Sequence, residues 1–289
     1  MDFLGTPIGY IMNFIYGLVS NYGVTIILIS VLFKLIVLPL TLKQQKSMAA
    51  MQQVQPLMTE IQHKYANDKE KQSMEMMRIY KEYNVKPFAS CLPTLVQFPI
   101  LIGLYGAIAK PLTFMLRFSS GQIENMAKAI GMNIAKASPY AYEIKIANQA
   151  SMGEFINKVR EFVPNFEPLD FTFLGLDLSL TPSFANFHII WILPAIAAFL
   201  TFLSSYVMQV NTGNQGEMQS TQKTMLYFFP LMILFFGFQV PAGLSLYWSV
   251  NSILQIIQYF TLDKKFKEQL ANEIAVKSVS MESKKNKRG

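Results

Sequence analysis

The chain has 289 residues, of which 52% are hydrophobic and 15% charged, with a formal charge of +7 and a mean hydropathy of +0.28. A soluble domain carries about 25% charged residues, so this composition excludes an ordinary soluble protein and predicts a polytopic membrane protein. A single cysteine, Cys91, excludes an intrachain disulfide, and with only His63 and His188 beside it no metal-ligand cluster is expected.

From Phe3 to Phe33 the chain carries no charge, and no basic segment precedes the apolar stretch, so a cleavable signal is not expected. Residues 1–22 read as an amphipathic helix lying in the membrane interface. Thr6-Pro7 marks its start, a hydroxyl cap before a proline at the first helical position. Thr6, Gly9, Asn13, Gly17 and Ser20 recur at spacings of three and four and form a small, polar stripe. Ile8, Ile11, Met12, Phe14, Ile15, Leu18 and Val19 form the apolar face. Ser20-Asn21-Tyr22-Gly23 separates this helix from the first span; one long bent span is the alternative.

Span 1 (23–42) contains the apolar run Val24–Leu42. At about 1.5 Å per residue it is long enough for roughly 30 Å of hydrocarbon. Lys34 sits in its middle. A cation there costs about 3 kcal/mol even on insertion scales, so it is expected to face protein or a water-filled cavity rather than lipid. Ser30 lies four residues before it on the same face, and Pro39 frees the carbonyl of Leu35.

Residues 43–86 are helical by period. Met48, Met51, Val54, Leu57, Met58, Ile61 and Tyr65 form one apolar face, Ala66-Asn67-Asp68 interrupts it, and Met74, Met77, Tyr80 and Tyr83 form a second. A projecting helical hairpin is expected. Methionine adapts to varied apolar partners, so Met48, Met51, Met58, Met74 and Met77 are candidate client contacts; a Met-rich hairpin core is the equally weighted alternative.

Span 2 (87–109) begins near Phe88 and stays uncharged until Lys110. Residues 110–186 form a mostly polar loop, with seven basic and seven acidic residues, ending in an aromatic segment, 171–178, expected at the membrane interface. Span 3 covers 187–208, followed by a short loop, 209–224. Met225 to Leu262 is free of charge, with Gln239 to Gly243 near its middle reading as a tight turn, which gives spans 4 (225–239) and 5 (241–261). Span 4 is short, which favours local bilayer thinning. The tail, 262–289, is basic, and Lys284, Lys285, Lys287 and Arg288 are candidate contacts for anionic lipid or ribosomal RNA. Segments 43–86 and 261–289 carry eight Lys and Arg each. Five spans put both on one side, so the cytoplasm receives them and the N-terminus is outside.

Span 5 carries Ser245, Trp248, Asn251, Ser252, Gln255, Gln258 and Tyr259 at spacings of three and four. So long a polar stripe must face protein or water. Gln97 and Thr94 in span 2, and Thr201, Ser204 and Ser205 in span 3, extend the set. Side-chain hydrogen bonding between helices accounts for the span 2 and span 3 residues. The span 5 stripe together with Lys34 favours a wet cavity open to the cytoplasm.

Four stretches carry a family resemblance: VLFKLIVLPLTLKQQKS (31–47), LPTLVQFPILIGLY (92–105), WILPAIAAFLTF (191–202) and FFPLMILFFGFQVPAGLSLYWSVNSI (228–253). With the hairpin between the first two, the chain resembles the YidC/Oxa/Alb3 membrane protein insertases over nearly its whole length. The resemblance implies an all-α fold of five transmembrane helices around a hydrophilic groove, open to the cytoplasm and to lipid and closed toward the outside. It implies insertion of nascent membrane proteins into the bilayer of the cell membrane without nucleotide, metal or other cofactor, by a protein acting as a monomer, alone or with the ribosome and the Sec translocon. The groove cation of most members is arginine, and that motif position holds Lys34 here. Ser30, Gln97, Thr201, Trp248, Asn251, Ser252 and Gln255 complete the expected groove. The resemblance is to members without a large extracellular domain before span 1. A small-solute transporter is the alternative, though no internal repeat is visible. A membrane enzyme has still less support, since no nucleophile-elbow, zinc-protease or phosphate-loop pattern occurs.

Overall fold

The computed structural model describes residues 2–83, 92–134, 141–183, 188–210 and 218–263. The beginning of span 2 at Phe88, the beginning of span 3 at Phe187, residues 211–217 of the loop 209–224 and the tail with Lys284, Lys285, Lys287 and Arg288 lie outside the described residues. The chain divides into two compact units. One comprises Met1–Leu35, Leu95–Leu203 and Tyr227–Ile253; the other comprises Ile36–Thr94, Ser204–Leu226 and Leu254–Gly289.

In the first unit, α1 (Asp2–Val19) begins before Thr6 and carries Pro7 inside it. The proline lies near the helix start, so it removes only one early backbone hydrogen bond. The expected two faces become three. Gly5, Ile8, Gly9 and Met12 are buried, Phe3, Tyr10, Phe14 and Leu18 are exposed, and Asn13 and Gly17 lie at the exposed edge. Gly9 belongs to the packed face because a side chain there would clash with the backbone carbonyl of Phe114. Ser20 takes a left-handed backbone (φ 51°), and α2 (Tyr22–Lys64) starts two residues later, so Tyr22 and Gly23 belong to the helix rather than to the break.

α4 (Leu92–Ala109) runs into α5 (Pro111–Phe114) with only Lys110 between them. Tyr22 fixes the start of α2 to the end of α4 by donating its hydroxyl to the carbonyl of Ile108 at 2.8 Å. Residues 111–178 are not a bare loop. They fold into α5, α6 (Ser120–Ala129), α7 (Tyr142–Ala150), α8 (Gly153–Phe162) and a two-residue-per-strand hairpin, β1 (Thr172–Phe173) with β2 (Leu176–Asp177). A capping box starts α6: Ser119 Oγ accepts from the Gln122 amide while the Gln122 side chain accepts from the Ser119 amide. Ile123, Met126, Ile144, Ala147, Val159 and Phe166 are buried together as the core of this segment. Phe171 is buried against the Tyr22 ring, 4.6 Å between centroids, because Gly23 and Tyr22 leave a seat for aromatic rings at the head of α2.

Glu143 locks this segment. It is buried, and it accepts hydrogen bonds from the Thr113 amide and hydroxyl, both at 3.0 Å, and from the Tyr142 hydroxyl at 3.2 Å. Burial pushes its carboxyl above the usual range, against the lowering effect of the Thr113 bonds and of Lys110. A carboxyl raised in the folded state contributes most below its unfolded value, and that contribution disappears as pH rises through the folded value. Thermal melting across the carboxyl range and upward is therefore expected to show the wild type losing stability relative to Glu143→Gln as pH rises. A pH-independent difference between the two proteins would contradict this.

Two stretches among the described residues, Tyr22–Gln44 and Ile189–Met208, are long and apolar enough to cross a membrane by length and composition. Phe3–Val19, Gln97–Ala109 and Leu226–Gly237 are shorter apolar helices. A 3₁₀ turn (Ile189–Trp191) leads into α9 (Ile192–Val210). α10 (Met218–Gly237) starts seven residues before Met225, so its helix is longer than its apolar part. α11 (Ala242–Gln258) follows the turn at Val240-Pro241, with Ala242 and Gly243 donating their amides to the carbonyls of Leu180 and Leu178. A π turn (Tyr259–Asp263) closes the described chain.

In the second unit, the distal part of α2 packs on α3 (Lys69–Glu82). α2 does not stop at Leu42: it passes through Pro39 and Pro56 to Lys64. The chain turns over Tyr65–Asp68, where the Asp68 carboxylate accepts from the Lys71 amide at 3.1 Å and caps α3. Val54, Met58, Ile61 and Ile79 form a small core, with Met51, Leu57, Met76 and Tyr80 against it.

Candidate functional site

α11 is the helix from which the candidate site is built. At 3.6 residues per turn, Trp248, Asn251, Ser252, Gln255, Gln258 and Tyr259 share one side. All are buried or half-buried, while Ile253, Ile257 and Phe260 on the opposite side are exposed. The polar stripe thus faces protein and the apolar stripe faces outward, the reverse of a soluble helix.

Two side-chain pairs tie α11 to its neighbours in the first unit. Gln97 on α4 donates its Nε2 to the hydroxyl of buried Tyr247 at 3.1 Å. Thr201 on α9 and Ser252 share a hydroxyl–hydroxyl hydrogen bond of 3.0 Å. Trp248, one helical step from each anchor, is half-buried against the core. Asn251, three residues further along α11, is also half-buried. Gln255 belongs to the second unit, where its Nε2 meets Met208 Sδ at 3.1 Å and Gln258 donates to the Thr41 hydroxyl at 3.3 Å.

On α2, Tyr22, Ile26, Ile29 and Ser30 are buried, and Leu28 and Leu35 are exposed on the other side. Lys34 lies at the edge of the buried face and is itself half-buried. The Ser30 hydroxyl donates to the carbonyl of Ile26 at 2.6 Å, so its proton is satisfied within its own helix.

The hairpin methionines divide. Met58 is buried and Met51 is half-buried against the hairpin core, so Met58 packs the two helices rather than offering a surface. Met74 and Met77 are exposed, 58% and 56%, on α3. The side chain of Met48 lies outside the described residues.

Tyr247 is the site residue that sequence reasoning misses. Its signal is chemical: a buried tyrosine hydroxyl needs a partner, and Gln97 is a polar residue in an otherwise apolar helix.

The 60Kd inner membrane protein family matches the chain over residues 14–269. The chain belongs to this family. Membership in the 60Kd inner membrane protein family takes in α2 through α11 and so every candidate residue except the four at the end of the tail. "Membrane protein insertase YidC" of Fusobacterium nucleatum subsp. nucleatum is 30% identical over 258 residues, covering 89% of this chain and 94% of that relative. "Membrane protein insertase YidC 2" of Listeria innocua serovar 6a is 29% identical over 272 residues, covering 92% of this chain and 73% of the relative. "Membrane protein insertase YidC" of Nitratidesulfovibrio vulgaris is 30% identical over 263 residues, 91% of this chain and 39% of that longer protein. The 60Kd inner membrane protein family thus supplies an integral membrane setting in which an outward apolar stripe and an inward polar stripe on α11 are both expected.

Proposed function

We propose that this chain is a membrane protein insertase that inserts newly made membrane proteins and helps them fold in the cytoplasmic membrane. The observation that carries the reading is the match of residues 14–269 to a family whose relatives are named as membrane protein insertases over about nine-tenths of this chain. The inward polar stripe of α11 and the half-buried Lys34 support it.

The physical task is to move polar segments of a client past hydrocarbon, where each unsatisfied polar group costs several kcal/mol. In the proposed arrangement α2, α4, α9, α10 and α11 are five spans, N-terminus outside and C-terminus inside. They enclose a hydrophilic groove open to the cytoplasm. Ser30, Gln97, Thr201, Asn251 and Ser252 offer hydrogen bonds within it. Trp248 offers a flat amphipathic wall, and Lys34 offers a positive charge that draws acidic client segments inward. The short apolar part of α10 shortens the dehydrated path further. No covalent bond is broken. Met74 and Met77 of the hairpin capture clients through adaptable apolar contact. The basic end of the tail holds the ribosome or anionic lipid, and the active form is a monomer that works alone or beside the Sec translocon. The transporter alternative has no support in the family or in the names of its relatives.

The test is photocrosslinking from Ile27, Trp248 and Met77 to a ribosome-stalled membrane nascent chain. Adducts from Trp248 and Ile27 that vanish when the chain is released are expected. No adduct from any of the three positions, with the protein folded, overturns the reading.

A further inference from the structure

The tip of the β1–β2 hairpin breaks two rules at once. Thr172 pairs with Asp177 and Phe173 with Leu176, which leaves Leu174-Gly175 as a two-residue loop. Both loop residues have positive φ, 50° and 78°. A glycine suits its place, but the first central position of such a turn favours asparagine, aspartate or glycine, because a left-handed backbone crowds a side chain. Here it holds leucine. That leucine is 86% exposed and packs on nothing that would offset the strain. Strain and apolar exposure at one residue mark a surface that meets something outside the fold.

The position of the hairpin says what it meets. Phe173, next to Leu174, lies directly over Gly23 in the first turn of α2, so close that any side chain at Gly23 would clash with its ring. The Asn21 side chain donates to the carbonyl of Thr172 at 2.8 Å and to the Asp170 carboxylate at 2.9 Å. The hairpin is therefore bound to the head of a helix whose Tyr22–Gln44 stretch is long and apolar enough to cross a membrane. A residue beside the first turn of a span stands at the level where headgroups give way to acyl chains.

We infer that the hairpin is a membrane-docking element: Leu174 inserts into the outer-leaflet interface and meets lipid acyl chains, holding the folded segment 111–178 against the bilayer. The inference rests on the reading of α2 as a span and not on the groove, so the two fail separately. Loss of client crosslinks leaves it standing, and a water-exposed tip leaves the insertase reading standing.

The experiment uses the full chain in proteoliposomes, on a Cys91→Ser background, with Leu174→Cys labelled by an environment-sensitive fluorophore. Glu161→Cys, on the exposed side of α8 in the same segment, is the comparison. Quenching by lipids with a spin label high on the acyl chain is expected to be about twofold or more stronger at 174 than at 161, and quenching by aqueous iodide correspondingly weaker. Equal behaviour at the two positions overturns the proposal. So does a tip shielded from iodide but untouched by lipid quenchers, since another protein surface would then be its partner.

Discussion

Lys34→Glu is expected to cut insertion of clients with acidic translocated tails by about tenfold or more, while Lys34→Arg retains it. The physics is a charge reversal at a half-buried position that the proposed groove opens to water. Two unit charges about 8 Å apart at an effective dielectric constant of about 20 interact by about 2 kcal/mol, so reversing one swings the energy by about 4 kcal/mol before screening. Lys34 is half-buried, and in the proposed groove solvent removes a large part of that swing. What remains still exceeds the roughly 1.4 kcal/mol that corresponds to a tenfold change. Arginine keeps the charge, adds a planar fork and cannot deprotonate, so it is tolerated. The measurement is insertion into proteoliposomes of two versions of one client, with acidic and with neutral tails, by the wild type and both variants. The acidic version alone should respond to Lys34→Glu. Equal insertion by all three proteins would remove the charge from the mechanism, and equal loss for both clients would make Lys34 a folding residue.

That argument begins in the sequence, and it marks how far the sequence reaches. A lone cation among apolar residues has one affordable direction, and Lys34 is half-buried on α2 while Leu28 and Leu35 are exposed. The stripe on α11 is legible for the same reason, since polar side chains in a helix read as a span have nowhere else to go. Hydropathy is silent where the backbone continues regardless of polarity. α2 passes from apolar to polar residues and across Pro39 and Pro56 without ending, because the helix is local in its hydrogen bonds and a proline removes only one of them. Segment 111–178 shows the other limit. Its six basic and seven acidic residues nearly balance, and its helices run from about one to about three turns, too short for a strong periodic signal. Yet the pattern Ile123, Met126, Ala127 and the Ser119–Gln122 cap are present in the letters and do mark α6. Pairings such as Gln97 with Tyr247, or Gly9 under Phe114, depend on which helices meet, and composition holds no record of that.

The second large effect is expected at Gly9. Gly9→Val should lower stability by about 3 kcal/mol or more, at the upper end of overpacking costs, and should release α1 from α5. The reason is that the obstruction is backbone. A side chain at Gly9 would run into the carbonyl group of Phe114 and lie 2.8 Å from its Cβ, so no flexible group can swing aside. Nor can α5 retreat. Glu143 holds Thr113 through two hydrogen bonds, and the Phe114 ring is already wedged between Gly5, where a Cβ would lie 2.7 Å away, and Gly106, where it would lie 3.2 Å away. When α1 lifts, Ile8 and Met12 lose their burial together, about 2 kcal/mol each for a fully buried side chain. Gly17 is the matched control. Nothing lies within 4 Å of a Cβ there, so Gly17→Ala should stabilise the helix by about 0.5–1 kcal/mol through reduced chain entropy. Thermal unfolding in detergent gives the ranking, and a thiol reagent on Met12→Cys in a Cys91→Ser background distinguishes local release from general unfolding. A Gly9→Val protein that melts with the wild type, its position 12 still closed to the reagent, would mean that α1 does not rest on α5. The start of α2 and the end of α4 would then be held together by the Tyr22–Ile108 bond and segment 111–178 without help from the first helix.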